Sequence, residues 1–239
     1  MRMQSIDLLR GIAIALMVIY HFCFDLSYVG FAQFNFNYDV FWLSFRALII
    51  SLFLGLVGIS FSVAAVNGFV WRKVAIRLAL LVGCAALVSV SSKVLFPASW
   101  IYFGILHFIA VASILALFFV RWHWTNLAVG VGCILVGLKI QSPLFDQPAL
   151  QWIGLMTHKP ITEDYVPMLP WFGVVLIGLF LGRLLFSQSF AQRLSQWRSD
   201  VALAKWLAMA GRHSLFIYML HQPLLLGFLV GFKRLHSWM

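Results

Sequence analysis

Charge is what this 239-residue chain has least of: 10% of its residues are charged, and Asp plus Glu number 7 against 17 Lys plus Arg. Soluble domains carry about a quarter charged residues, so a water-solvated surface is excluded on composition. Cysteine is nearly absent. Cys23, Cys84 and Cys133 stand singly in separate apolar stretches, which excludes a disulfide framework and a thiolate metal site. No Gly-rich phosphate loop, internal repeat or low-complexity linker is present, and no His, Cys or carboxylate spacing matches a metal site, so no metal is expected.

What fills the chain is apolar: 63% of residues, with 23 Phe and 10 Trp and a mean hydropathy of +0.96. The bilayer is the solvent such a composition needs. The apolar runs are continuous and lack period-two alternation, so they predict helices, not a barrel. The fold class is all-α, a polytopic transmembrane helix bundle of about seven spans (six to eight) in a single domain, residues 1–239. The spans fall at residues 8–24, 42–66, 78–94, 103–120, 126–138, 171–186 and 213–231, and a re-entrant eighth piece is allowed between 149 and 156. The fifth is short and contains Gly130, Gly132 and Gly137, so a broken, tilted or half-inserted helix fits it.

Basic residues cluster on alternate connections. Arg2 precedes the first span, Arg72, Lys73 and Arg77 follow the second, Arg121 follows the fourth, and Arg193, Arg198 and Lys205 follow the sixth. Asp39, Asp146, Glu163 and Asp164 lie on the other connections, which puts the N-terminus in the cytoplasm and the C-terminus outside. The net charge of +10 then reads as a topology signal and a contact for anionic headgroups, with no nucleic-acid partner. The first span carries Asp7 and Arg10 in its opening turn and lacks a small-x-small cleavage site, so it is expected to be retained.

That first span holds four ionisable groups: Asp7, Arg10, His21 and Asp25. At about 100° and 1.5 Å per residue they fall within a sector of roughly 60°, with Arg10 and His21 about 16 Å apart along the axis. Asp7 and Arg10 have the i, i+3 spacing of an ion pair, and His21 and Asp25 the i, i+4 spacing that lets a carboxylate orient an imidazole. Ionisable groups at membrane depth are by default a functional site. The last span repeats the theme with Ser214, Tyr218 and His221 on one face, then Gln222 and Pro223, which frees a carbonyl near Met219. For Ser214 and Tyr218 an interhelical hydrogen-bond cluster is the competing reading. Arg46 and His107 are further intramembrane polar groups, read as substrate-binding with Gln222 or as completing the polar interior.

The run from Ser5 to Ile14 (SIDLLRGIAI) with Met17 and His21, the run from Phe53 to Ser60, the run from Leu169 to Gly173, and the run from Gly211 to Pro223 resemble bacterial proteins related to the catalytic domain of heparan-α-glucosaminide N-acetyltransferase. The spacing of Arg10 to His21 and the closing Ser-x3-Tyr-x2-His-x-Pro run are also similar to the wider transmembrane acyltransferases that O-acetylate polysaccharides. The resemblance implies acyl transfer, usually of acetyl, from cytoplasmic acyl-CoA to an extracytoplasmic carbohydrate or glycoconjugate acceptor. It places the chain in a bacterial inner membrane as a multi-pass protein, with a homodimer admitted. Under it, His21 matches the histidine regarded as catalytic, a general base or acyl carrier steered by Asp25. Tyr218, Ser214 or His221 would donate to the developing oxyanion. Arg10 with Asp7, and more weakly Arg72, Lys73 and Arg77, would bind CoA. A small proton-coupled transporter and a non-catalytic glycan- or lipid-binding protein stay open as alternatives. The connection at 141–170, with Asp146, Trp152, Glu163, Asp164 and Tyr165, is where acceptor recognition is sought, against a purely capping role.

Overall fold

The computed structural model describes residues 3–185 and 197–236; Arg2 and Arg193, part of the charge pattern above, lie outside them. Eight helices are described: α1 Gln4–Val29, α2 Val40–Val66, α3 Trp71–Leu95, α4 Ile105–Phe119, α5 Trp124–Lys139, α6 Met168–Leu185, α7 Ala202–Arg212 and α8 Ser214–His236. No strand occurs among the described residues. α1, α2, α3, α6 and α8 are long and apolar enough to cross a bilayer, while α4 and α5, with 15 and 16 residues, are shorter apolar helices. The chain is thus a multi-pass helical membrane protein, with about seven spans as its hydropathy predicts.

Two differences from the sequence expectation concern the connections. α5 is continuous over Trp124–Lys139, which removes the broken helix from the options for the fifth span. The stretch at 149–156 is not a re-entrant helix: it holds one 3-10 turn, Gln151–Ile153, after another at Pro143–Asp146. α7 was not expected at all. Its 11 residues are too few to span, and its exposed Leu203, Trp206 and Met209 interrupt the polar pattern of a connection without making a span-length run.

The chain forms two compact units, residues 1–53 with 189–239, and residues 54–188. In the first, α1 packs against α7 and α8. Gly11 and Gly211 let α1 and α7 touch backbone to backbone: a Cβ on Gly11 would land on the Leu207 carbonyl, and one on Gly211 on the Asp7 carbonyl. α1 and α8 run parallel, because Arg212 meets Asp7, His221 meets His21 and Lys233 meets Val29 in ascending order. Parallel first and last spans need an odd number of crossings, which seven satisfies with α7 left at one end. α1 stops at Gly30, whose left-handed φ of 90° turns the chain, and Lys233 Nζ donates to the Val29 carbonyl at 2.6 Å, placing a cation on the helix C-terminus. The core here is aromatic and aliphatic, with Ile14, Met17, Tyr20, Phe36, Trp42 and Ile49 buried together.

In the second unit the C-terminal half of α2 and α5 both pack on α6 through small residues. A Cβ on Gly58 would meet the Val175 carbonyl, and one on Gly173 the Gly130 carbonyl. Such close approach replaces the hydrophobic drive that lipid removes.

Candidate active site

The polar face of α1 is built into two clusters inside the first unit. At its N-terminal end Asp7 is 1% exposed, and both carboxylate oxygens are taken: Arg10 Nη1 lies 3.5 Å from Oδ1, and Arg212 Nε donates to Oδ2 at 3.3 Å. The i, i+3 pair expected from the sequence is present. Arg212, from the end of α7, is the partner it did not show. A charge buried this deeply persists only when paired, so Asp7 is a clamp that fixes two guanidiniums and offers no open face to a ligand. The arginines it holds keep 25% and 48% of their side-chain surface exposed. Ser199 N–H donates to Gln4 Oε1 at 3.2 Å and pins the segment before α7 to the start of α1.

Four turns along, α1 and α8 bring together His21, Asp25, His221 and Gln222. The rings of His21 and His221 lie 4.9 Å apart at 64°. Gln222 Nε2 donates to Asp25 Oδ1 at 2.7 Å, and Asp25 is 1% exposed. His221 Nδ1 donates to the Tyr218 carbonyl at 2.6 Å. A carbonyl only accepts, so Nδ1 carries the proton and Nε2 presents a lone pair.

The hydrogen bond expected between Asp25 and His21 is absent. The carboxylate faces Gln222 across the interface and the imidazole faces His221, because α8 supplies a nearer donor than α1 can to itself. Four atoms of this cluster have no hydrogen-bond partner among the described residues: His21 Nδ1, Asp25 Oδ2, His221 Nε2 and Gln222 Oε1. Each costs about 1–3 kcal/mol if left so, and a native fold concentrates such costs where chemistry or binding repays them.

The remaining expected residues fall elsewhere. Tyr218 lies beside the cluster, its ring 5.5 Å from His221. Ser214 opens α8, about 10 Å along the axis from His221, and is not brought to the four. Arg46 interacts electrostatically with the hydroxyl of Tyr20, the residue before His21 in an aromatic layer with Phe36, Trp42 and Phe45. His107, Arg72, Lys73 and Arg77 belong to the second unit. His107 sits at the first turn of α4 with both ring nitrogens engaged, as the polar-interior alternative expects. Gly104 N–H donates to its Nδ1 at 3.3 Å, and its Nε2 bonds Ser89 Oγ at 3.0 Å, so neither ring nitrogen is left over.

The connection at 141–170 is likewise self-satisfied. Thr157 donates to Asp146 through N–H and Oγ1, both at 2.8 Å, and these bonds hold the Asp146 carboxyl below the usual carboxylate range. Asp164 Oδ2 accepts from Ile105 N–H at 2.9 Å and caps α4. Tyr165 donates to the Gln151 carbonyl at 2.6 Å and Tyr102 to Gln151 Oε1 at 2.8 Å; burial pushes the Tyr102 hydroxyl up to about 12. These side chains tie the connection to itself and to residues 99–105, which is the capping reading.

Among the described residues no three His, Cys, Asp or Glu side chains gather as a metal site would require. No curated protein and no solved structure matches the chain. The family description heparan-alpha-glucosaminide N-acetyltransferase, catalytic, matches residues 2–223, a stretch that holds both clusters of α1 and all four residues of the unpartnered one. With nearly its whole length so matched, the chain belongs to this family of membrane acetyltransferase catalytic domains.

Proposed function

We propose that the protein transfers an acetyl group from acyl-CoA to a sugar-type hydroxyl or amine, with the His21–His221 pair as the reaction centre. The observation that carries this reading is the convergence of four unpartnered polar atoms from α1 and α8 at one level of an apolar bundle. A thioester is reactive enough that a protein need only hold an acceptor, take its proton and stabilise the oxyanion.

The groups present match those tasks. The bond His221 Nδ1 makes to the Tyr218 carbonyl leaves the lone pair of the neutral ring on Nε2, which suits that nitrogen to accept the acceptor's proton. His21 Nδ1 is the second ring nitrogen without a partner, and the pair handles the proton as the acceptor attacks the thioester carbonyl and the thiol leaves. Asp25 and Gln222 brace each other through one bond and keep one oxygen each for an acceptor's hydroxyl or amine protons. Arg10 and Arg212, about 16 Å from His21 along α1 and fixed by Asp7, suit the phosphates of CoA. That length is commensurate with a pantetheine arm lying along the α1–α8 seam, donor entering at the basic, cytoplasmic end of a bacterial inner membrane. The basic start of α3 belongs to the other unit and takes no part in this assignment.

The test is turnover of radiolabelled acetyl-CoA by the purified protein in liposomes. Saturable thioester loss is expected, with Arg10→Ala and Arg212→Ala raising KM about tenfold each, the loss of one charge-assisted contact. Substrate flux across the membrane without any thioester loss contradicts the proposal and returns the polar stripe to a transporter's relay.

A further inference from the structure

The second unit contains a polar feature that transfer chemistry does not use. Ser60 and Phe61 of α2, Arg77 and Leu81 of α3, and Ser113 and Leu117 of α4 line a partly open cleft of about 60 Å3. Its lining is mostly apolar; of its three polar residues Ser60 Oγ donates to the Leu56 carbonyl, and the other two need explanation. Ser113 is 7% exposed and its Oγ has no hydrogen-bond partner among the described residues. Arg77 lines the same cleft with its residue exposed, and it has no ion pair or hydrogen bond among the described residues.

The depth of the cleft follows from its surroundings. The α2–α3 turn carries Phe69 and Trp71 with rings 5.4 Å apart, followed by the exposed Arg72 and Lys73, the aromatic and basic mixture of a headgroup layer. Arg77 sits about 9 Å along α3 from Trp71, and Ser113 about 9 Å along α4 from its end at Phe119. Both therefore lie just beneath the headgroups, at the depth of a glycerol ester. A guanidinium there binds a phosphate, a lone hydroxyl donates to an ester carbonyl, and Phe61, Leu81 and Leu117 meet methylenes.

We infer that this cleft binds the phosphate, glycerol ester and first methylenes of one anionic phospholipid, with Arg77 on the phosphate and Ser113 Oγ on the ester carbonyl. The positive surroundings select an anionic lipid over a zwitterionic one, and the site is independent of the transfer reaction. The occupant matches every polar group that the cleft leaves unpaired.

The experiment is native mass spectrometry of the full chain released from mild detergent, after incubation with equal amounts of palmitoyl-oleoyl phosphatidylglycerol and phosphatidylcholine. One retained phosphatidylglycerol is expected on wild type, its retention about tenfold weaker in Arg77→Gln and several-fold weaker in Ser113→Ala. Ser113→Ala removes one oxygen from a packed site, so it keeps the test open should Arg77→Gln fail to fold. Equal retention of the two lipids, wild-type retention by both variants, or displacement of phosphatidylglycerol by excess acetyl-CoA overturns the inference; the last result would hand the cleft to the acyl donor. Turnover of acetyl-CoA is read separately, so failure here leaves the transfer proposal standing.

Discussion

Two regions of this protein gather polar side chains, and they use them in opposite ways. The connection at 141–170 spends its polar atoms on itself: Asp146 on Thr157, Asp164 on the first turn of α4, and Tyr165 and Tyr102 on Gln151. The α1–α8 cluster keeps four atoms unspent although each of those atoms is buried. Polar composition alone does not mark a site. Unsatisfied polarity does, because only there is a folding cost left for a ligand or a reaction to recover.

The sharpest way to break that comparison is to remove the ring nitrogens. His221→Ala and His21→Ala are each expected to lower acetyl transfer at least about 100-fold, the usual weight of proton handling in the transition state, while CoA binding persists. Radiolabelled product formation measures the first and a filter-binding assay the second. Next in size comes the frame that aligns the cluster. Gly11→Ala and Gly211→Ala force a methyl into backbone and should cost about 1–3 kcal/mol each, seen as lower thermal midpoints in detergent with turnover reduced in proportion to folded protein.

Changes in the connection should be smaller and of another kind. Tyr165→Phe deletes one hydrogen bond, worth about 0.5–1.5 kcal/mol, and should lower the thermal midpoint while turnover stays within about threefold of wild type. A connection variant that abolishes turnover without unfolding would move the site there. The smallest effect is one of pH. Asp146 is held below its ordinary value by Thr157, so this contribution is present above the usual carboxylate range and is lost as pH falls below it. Melting curves should show the wild-type advantage over Asp146→Asn at pH 6 shrink as pH falls through the carboxylate range.

The long spans and the polar face of α1 are legible in the sequence because hydropathy and helical period are local properties. α7 is not, since 11 residues with a buried small-residue face and exposed Leu203 and Trp206 resemble neither a span nor a loop. The partners of Asp7 and Asp25 were equally hidden. Arg212 and Gln222 reach them across contacts 205 and 197 residues apart, which only the packing of α7 and α8 on α1 decides. The polar-interior reading of His107 has a local sign in the sequence, its N3 spacing from Gly104.

The most direct measurement is single-turnover thioester cleavage of acetyl-CoA, with acceptor glycan supplied, by wild type, His221→Ala and Tyr165→Phe in the same liposomes. The account predicts cleavage by wild type and Tyr165→Phe and almost none by His221→Ala at unchanged CoA binding. Full cleavage by His221→Ala, or its loss in Tyr165→Phe, would contradict it.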